Sequence, residues 1–175
     1  QEAEGRGFRP LIAEALARPP ALKHRSVVRH LGPWTVLDDC YNASPLSMMA
    51  GLDTLVDLAA GGPAVAVLGD MLELGPDSRR LHQEVGAHAA GLELSLLVTV
   101  GELGEEIAHG ALVAGMAAAV VASLPTADAA VAHVRERAAA GGHVLIKASR
   151  GARLEEVIDG LSQAADAGEG VTNGD

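Results

Sequence analysis

The sequence predicts a doubly wound α/β domain, a mostly parallel sheet with helices on both faces. Three observations predict it. The runs AVAVL (Ala64–Leu68), LLVTV (Leu96–Val100) and HVLIK (His143–Lys147) are apolar on consecutive residues, as strands are when both sheet faces are covered. Stretches with helical spacing of apolar residues lie between such runs, and glycine or proline stands at the joints.

Leu11 to Ala17 reads as a short helix stopped by Pro19-Pro20. Ser26–Leu31 and Trp34–Leu37 read as strands around Gly32-Pro33, the second opening into the polar loop Asp38–Ala43. Ser44 followed by Pro45 supplies an N-cap and a first-turn proline, so a helix is expected from Pro45 to about Ala60, where Gly61-Gly62-Pro63 ends it. The cycle then repeats: strand Ala64–Leu68, loop Gly69–Pro76, helix Asp77–Ala90, strand Leu94–Val100. Helix Glu102–Ala114, strand Ala118–Ala122, helix Thr126–Ala140, strand His143–Lys147, loop Ala148–Gly151 and helix Ala152–Ala164 complete it. The remaining tail is small, polar and glycine-rich, and is expected to be disordered. No internal repeat is visible.

Composition narrows the function classes. Thirteen Lys+Arg against 23 Asp+Glu leave a net charge of −10, with no basic stripe for a phosphate backbone, so nucleic acid is not the expected partner. No apolar run approaches the roughly 20 residues of a membrane span, no leader opens the chain, and the single Cys40 has no internal partner. A soluble, reduced, cytoplasmic protein is expected. With Phe8, Trp34 and Tyr41 as the only aromatic residues, its core must be aliphatic. The first residue is Gln1 and not methionine, which suggests a piece of a longer protein.

In an open parallel sheet, ligands bind beyond the carboxyl ends of the strands. Three loops there are loaded: Asp38-Asp39-Cys40-Tyr41-Asn42, Gly69-Asp70-Met71-Leu72-Glu73-Leu74-Gly75, and Lys147-Ala148-Ser149-Arg150-Gly151. In the last, a hydroxyl, two cations and the N–H groups of a coming helix converge, which suits a carboxylate or phosphate. Ordinary capping is the other reading, with Ser149 as N-cap and Arg150 paired to Glu155 or Glu156. Asp70, Glu73 and His82 lack the further ligands a metal needs. They read better as a carboxylate loop that bonds its own amides and orients a neighbouring element, and no metal is expected. His88, His109 and His133 read as surface residues and Cys40 as a small filler with no base in reach. Neither G-x-x-x-x-G-K-[ST] nor G-x-G-x-x-G after a strand occurs, so a phosphate loop would have to come from elsewhere.

The stretch Asp38 to Pro45 followed by Ser47-Met48, then Leu68 to Gly75 with His82, then Lys147 to Gly151, in that order and spacing, resembles the carboxy-terminal domain of the Mur ligases. Within that family it is most similar to the branch that adds D-alanyl-D-alanine. The resemblance implies a Rossmann-like domain over 34–163, with 1–33 the tail and hinge of a central ATPase domain and 164–175 a disordered tail. It implies an enzyme that uses ATP and Mg2+ to activate the carboxylate of a UDP-muramyl tripeptide for attack by D-alanyl-D-alanine. Its amino-terminal and central domains would lie outside this chain, which alone would be inactive. By position, Arg25 reaches the phosphates, Asp39 holds ribose or hinge contacts, Asn42 lies at the nucleotide, and Tyr41 contacts the base or anchors its loop. Lys147, Ser149 and Arg150 are implied to hold the dipeptide carboxylate. Ala148 stands where the family usually has glycine, which is expected to restrict that loop. Cys40 and Ser44 replace the common serine and asparagine. Two alternatives stay open: another Mur or folylpolyglutamate-type ligase domain, and a stand-alone metabolite-binding domain.

Overall fold

The computed structural model describes residues 24–169, with side chains through Ala165. The helix expected at Leu11–Ala17 and most of the expected linker lie outside those residues. Six strands and five α-helices follow one another: β1 (Val27–Leu31), β2 (Trp34–Asp39), α1 (Pro45–Ala59), β3 (Ala64–Gly69), α2 (Ser78–Ala90), β4 (Leu96–Val100), α3 (Gly104–Val113), β5 (Val121–Leu124), α4 (Ala127–Arg137), β6 (His143–Lys147) and α5 (Glu155–Glu169). They form one sheet in the order β1-β2-β6-β3-β4-β5, parallel except for β1, which pairs antiparallel with β2. The β1–β2 hairpin turns on Gly32, whose φ of 53° is open to glycine and closed to proline, so Gly32 precedes Pro33 and not the reverse.

The consecutive apolar residues of the strands are shared between two cores. Val65, Val67, Val98, Val144 and Ile146 face α4 and α5, packing with Ala130, Val134, Val157 and Leu161. Ala66, Leu68, Leu97 and Leu145 face α1, α2 and α3, packing with Met48, Leu52, Leu55, Val85 and Ile107. Truncating one of these fully buried leucines, Leu52→Ala for instance, removes about 2–5 kcal/mol through lost transfer energy and the cavity left behind.

Several boundaries depart from the sequence reading, four of them with a structural consequence. β2 runs on through Asp38 and Asp39, which pair in register with Ile146 and Lys147, because both carboxylates find cationic partners. The expected strand at Ala118–Ala122 is a 3-10 turn over Ala118–Val120 followed by β5. The last helix starts at Glu155 rather than Ala152, after a 3-10 turn at Arg150–Ala152 and a left-handed Arg153 at φ 53°. It continues to Glu169, into the segment expected to be disordered.

Candidate functional site

Strand order places the crevice. β2 and β3 lead into α1 and α2 on one face, whereas β6, which lies between them, leads into α5 on the other. Loops departing in opposite directions leave an opening at the carboxyl end of β6. The three loops singled out in the sequence, after β2, β3 and β6, meet there.

Asp38 and Asp39 end β2 and point to opposite faces. Asp38 is fully buried and accepts from Arg29 Nε at 2.9 Å, with Arg29 Nη2 also at 2.9 Å and His24 Nδ1 at 2.9 Å. Asp39 accepts from the Ser26 N–H at 2.9 Å and pairs with the ammonium of Lys147. Lys147 is 2% exposed and donates a second hydrogen bond to the Asn42 carbonyl at 3.0 Å. Its stem lies across Gly51 of α1, where an added Cβ would stand 3.3 Å from Lys147 Cδ. The resemblance implied ribose or hinge contacts for Asp39 and the dipeptide carboxylate for Lys147; the fold joins the two to each other. A groove of about 250 Å³ beside Asp39 is lined by Ser26, Ser47, Gly51 and Thr54.

Tyr41, 38% exposed, gathers two more of the expected residues. The Arg25 guanidinium stands 4.0 Å from its ring centroid and that of Arg150 stands 5.7 Å away. Residues 25, 41 and 150 thus form one cluster at the crevice mouth. Cation–π attraction steadies the two guanidiniums there, and each presents N–H donors of the kind that suit carboxylate or phosphate oxygens. Asn42 is exposed, its Oδ1 accepting from the Ala43 N–H at 3.0 Å. Ser44 is the N-cap of α1, in a reciprocal capping box with Ser47.

Ser149 does not cap a helix. Its hydroxyl accepts from the Leu72 N–H at 2.9 Å and its N–H donates to the Asp70 carbonyl at 3.0 Å, which stitches the β6 loop to the β3 loop. The alternative pairing of Arg150 with Glu155 or Glu156 is also replaced, because the left-handed turn delivers Arg153 to Glu156 at 2.5 Å. Ala148 is fully buried and escapes the constraint expected of it. Its φ is not positive, and its methyl fits because β3 ends in glycine: a Cβ on Gly69 would come within 2.9 Å of Ala148 Cβ.

Asp70, Glu73 and His82 do not converge. Asp70 Oδ1 accepts from the Gly104 N–H at 2.8 Å, capping α3 from another element. His82, fully buried, accepts from the Met71 N–H through Nε2 at 2.9 Å, so its proton is on Nδ1, 2.7 Å from the Ser78 carbonyl. Glu73 is exposed at φ 65°. Asp70 and His82 each brace a neighbouring segment, while Glu73 takes no part in those bonds. Cys40 is buried, its thiol donating to the Ile146 carbonyl at 3.3 Å; burial first, then the Asp38 carboxylate, raises its pKa well above the ordinary range. It is no nucleophile. His24 and Arg29 were not singled out in the sequence, and Asp38 only as part of its loop; the one available signal was an acidic pair at a strand end.

The chain is thus of the class of doubly wound, Rossmann-like domains, with two guanidiniums, a ring and a braced carboxylate gathered at its strand-order crevice. Residues 24–150 match the family described as Mur ligase, glutamate ligase domain, and the chain belongs to that family. It is 38% identical over 176 aligned positions to the UDP-N-acetylmuramoyl-tripeptide--D-alanyl-D-alanine ligase of Mycobacterium tuberculosis, covering 90% of this chain and 34% of that one. It is 38% identical to the Bacillus subtilis ligase of the same name, over 74% of this chain and 28% of the relative. Among solved structures, MurF from Acinetobacter baumannii superposes with a TM-score of 0.72 at 28% identity, over 87% of this chain and 32% of that one. The Thermotoga maritima MurF ligase in complex with ADP gives 0.69 at 25% identity, over 83% and 32%. The chain therefore spans about a third of these relatives.

Proposed function

We propose that this chain is the carboxy-terminal domain of an ATP-dependent ligase that joins D-alanyl-D-alanine to a UDP-N-acetylmuramoyl-tripeptide in peptidoglycan synthesis. The observation that carries the reading is the 38% identity, over 90% of the chain, to ligases of that name. The cluster of Arg25, Tyr41 and Arg150 at the crevice mouth supports it, since ATP and the UDP-linked tripeptide are anionic and the dipeptide carries a carboxylate. In the reaction, the tripeptide carboxylate oxygen attacks the γ-phosphorus of ATP and ADP leaves. The dipeptide amine then attacks the acyl phosphate carbon, expelling inorganic phosphate and losing a proton as the amide forms. Acyl phosphates hydrolyse, so the domain's contribution is to close over the reacting groups, exclude water and position the amine. Arg25, with the Tyr41 ring against its guanidinium at 4.0 Å, steadies phosphate oxygens, and Arg150, farther from that ring and carried by the β6 loop, holds the dipeptide carboxylate. Among the described residues no group of three or more His, Cys, Asp or Glu side chains is built to hold a metal. We assign any magnesium ligands to the two thirds of the relatives that this chain does not span.

No helix among the described residues is long and apolar enough to cross a membrane. A cytoplasmic site of action is part of this reading, because the nucleotide-linked substrate is made and used with ATP. The test is phosphate release with ATP, UDP-muramyl tripeptide and D-alanyl-D-alanine. The full-length protein is expected to turn over and this chain alone to be inert. Turnover by the chain alone, or a full-length protein that accepts glutamate and ignores the dipeptide, would refute the reading.

A further inference from the structure

We propose that Lys147 is a positioning residue for the nucleotide side of the site, acting through Asp39 and the Asn42 carbonyl, and not a ligand of the dipeptide carboxylate. This rests on the ligase reading above. An ammonium has three donors, and two are committed: one to the Asp39 carboxylate, one to Asn42 O at 3.0 Å. The side chain is 2% exposed and packed over Gly51, so it cannot swing to a ligand at the crevice mouth without abandoning its partly buried carboxylate partner and its own packing.

What Lys147 does hold is the frame of three other residues. Asp39 and Lys147 are the paired last residues of β2 and β6. From Asp39 the contact continues to the Ser26 N–H at 2.9 Å, which fixes the chain beside Arg25. From Asn42 it fixes the turn that carries Tyr41, whose own N–H donates to the His24 carbonyl at 2.9 Å. Arg25, Tyr41 and Asn42 therefore all hang from one buried ammonium. Arg150 lies on the far side of Ser149, which is tied instead to Leu72 and Asp70. The Lys-Ala-Ser-Arg stretch thus divides its work: Lys147 braces the β2 loop, Ser149 braces the β3 loop, and Arg150 is left to meet a ligand.

The experiment is steady-state kinetics of the full-length protein carrying Lys147→Met, Asp39→Asn, both together, and Lys147→Arg, with the Tm of each variant measured alongside. Lys147→Met is expected to raise KM for ATP about tenfold while KM for D-alanyl-D-alanine stays within about twofold. The double variant is expected to be no worse than the poorer single one, because both substitutions cut the same tie. Lys147→Arg, which keeps the charge, is expected to recover much of the loss. A tenfold rise in dipeptide KM with ATP KM unchanged, or multiplicative effects in the double variant, would overturn the proposal. Should Lys147→Met fail to fold, Asp39→Asn carries the same test, since it removes the charge partner and keeps the volume. A wild-type protein that ligates no D-alanyl-D-alanine removes the ligase reading itself, before any variant is compared.

Discussion

At the scale of single residues, burial decides what the chemistry-bearing side chains can do. Cys40 stands among site residues, yet its thiol is enclosed, donates to Ile146 O and lies near Asp38, all of which hold the proton on sulfur. The folded-state pKa is raised above the ordinary 9.0, so on raising the pH the unfolded chain loses this proton first. Stability is therefore untouched below that value and falls above it, by up to about 1.4 kcal/mol per pH unit. Urea unfolding at about pH 8 and about pH 10 is expected to show a larger loss for wild type than for Cys40→Ala, by about 1 kcal/mol or more. Equal losses would show that the thiol is not held protonated. Lys147 teaches the same lesson from the opposite direction. As a lysine after a strand it read as a ligand, and only the register that sets it beside Asp39 shows where its charge goes. Ala148 is similar: its methyl is harmless only because residue 69, on another strand, has none.

At the scale of elements, the helices were legible because their signals are local. Ser44-Pro45 capped α1 as written, and Thr126 caps α4 through the Ala129 N–H. The packing of α2 on α3 was not legible, because it depends on two glycines with no local signature. Gly86 lies mid-helix in α2 and Gly110 in α3, positions where glycine costs about 1 kcal/mol against alanine. They are there because the backbones touch: a Cβ on Gly86 would lie 1.9 Å from Ile107 O, and one on Gly110 would lie 2.2 Å from Gln83 O. Gly86→Ala should therefore destabilise by about 3 kcal/mol or more despite the better helix former, since the helices must separate to admit the methyl. Differential scanning calorimetry is expected to show Tm lowered by about 6 °C or more. An unchanged or raised Tm would mean that the helices part at no cost.

At the scale of the whole molecule, alternating elements and solid apolar strands announced the fold class, but nothing local says that β6 inserts between β2 and β3. That insertion creates the crevice, and it joins residues as far apart as Asp39 and Lys147. It also leaves β1 as an antiparallel edge with a single neighbour, so the incoming chain that carries Arg25 is fastened to the domain by few bonds. Besides the ladder to β2, the Ser26 N–H to Asp39 and the Tyr41 N–H to the His24 carbonyl, Asp38 supplies a further tie, holding both Arg29 and His24 from a fully buried position. Asp38→Ala frees two partners that are themselves partly exposed and can turn to water, so the loss should fall on the edge strand rather than on the core. A loss of about 1.4 kcal/mol in local opening raises the open population about tenfold. Trypsin cleavage after Arg29 is accordingly expected to quicken about tenfold under conditions where opening is faster than cutting, while cleavage after Arg135 and Arg137 on α4 stays at the wild-type rate. Cleavage accelerated equally at both places would mean that Asp38 supports the whole fold. Cleavage unchanged at Arg29 would mean that the β1 ladder and the Ser26 and His24 backbone bonds fasten the chain without Asp38.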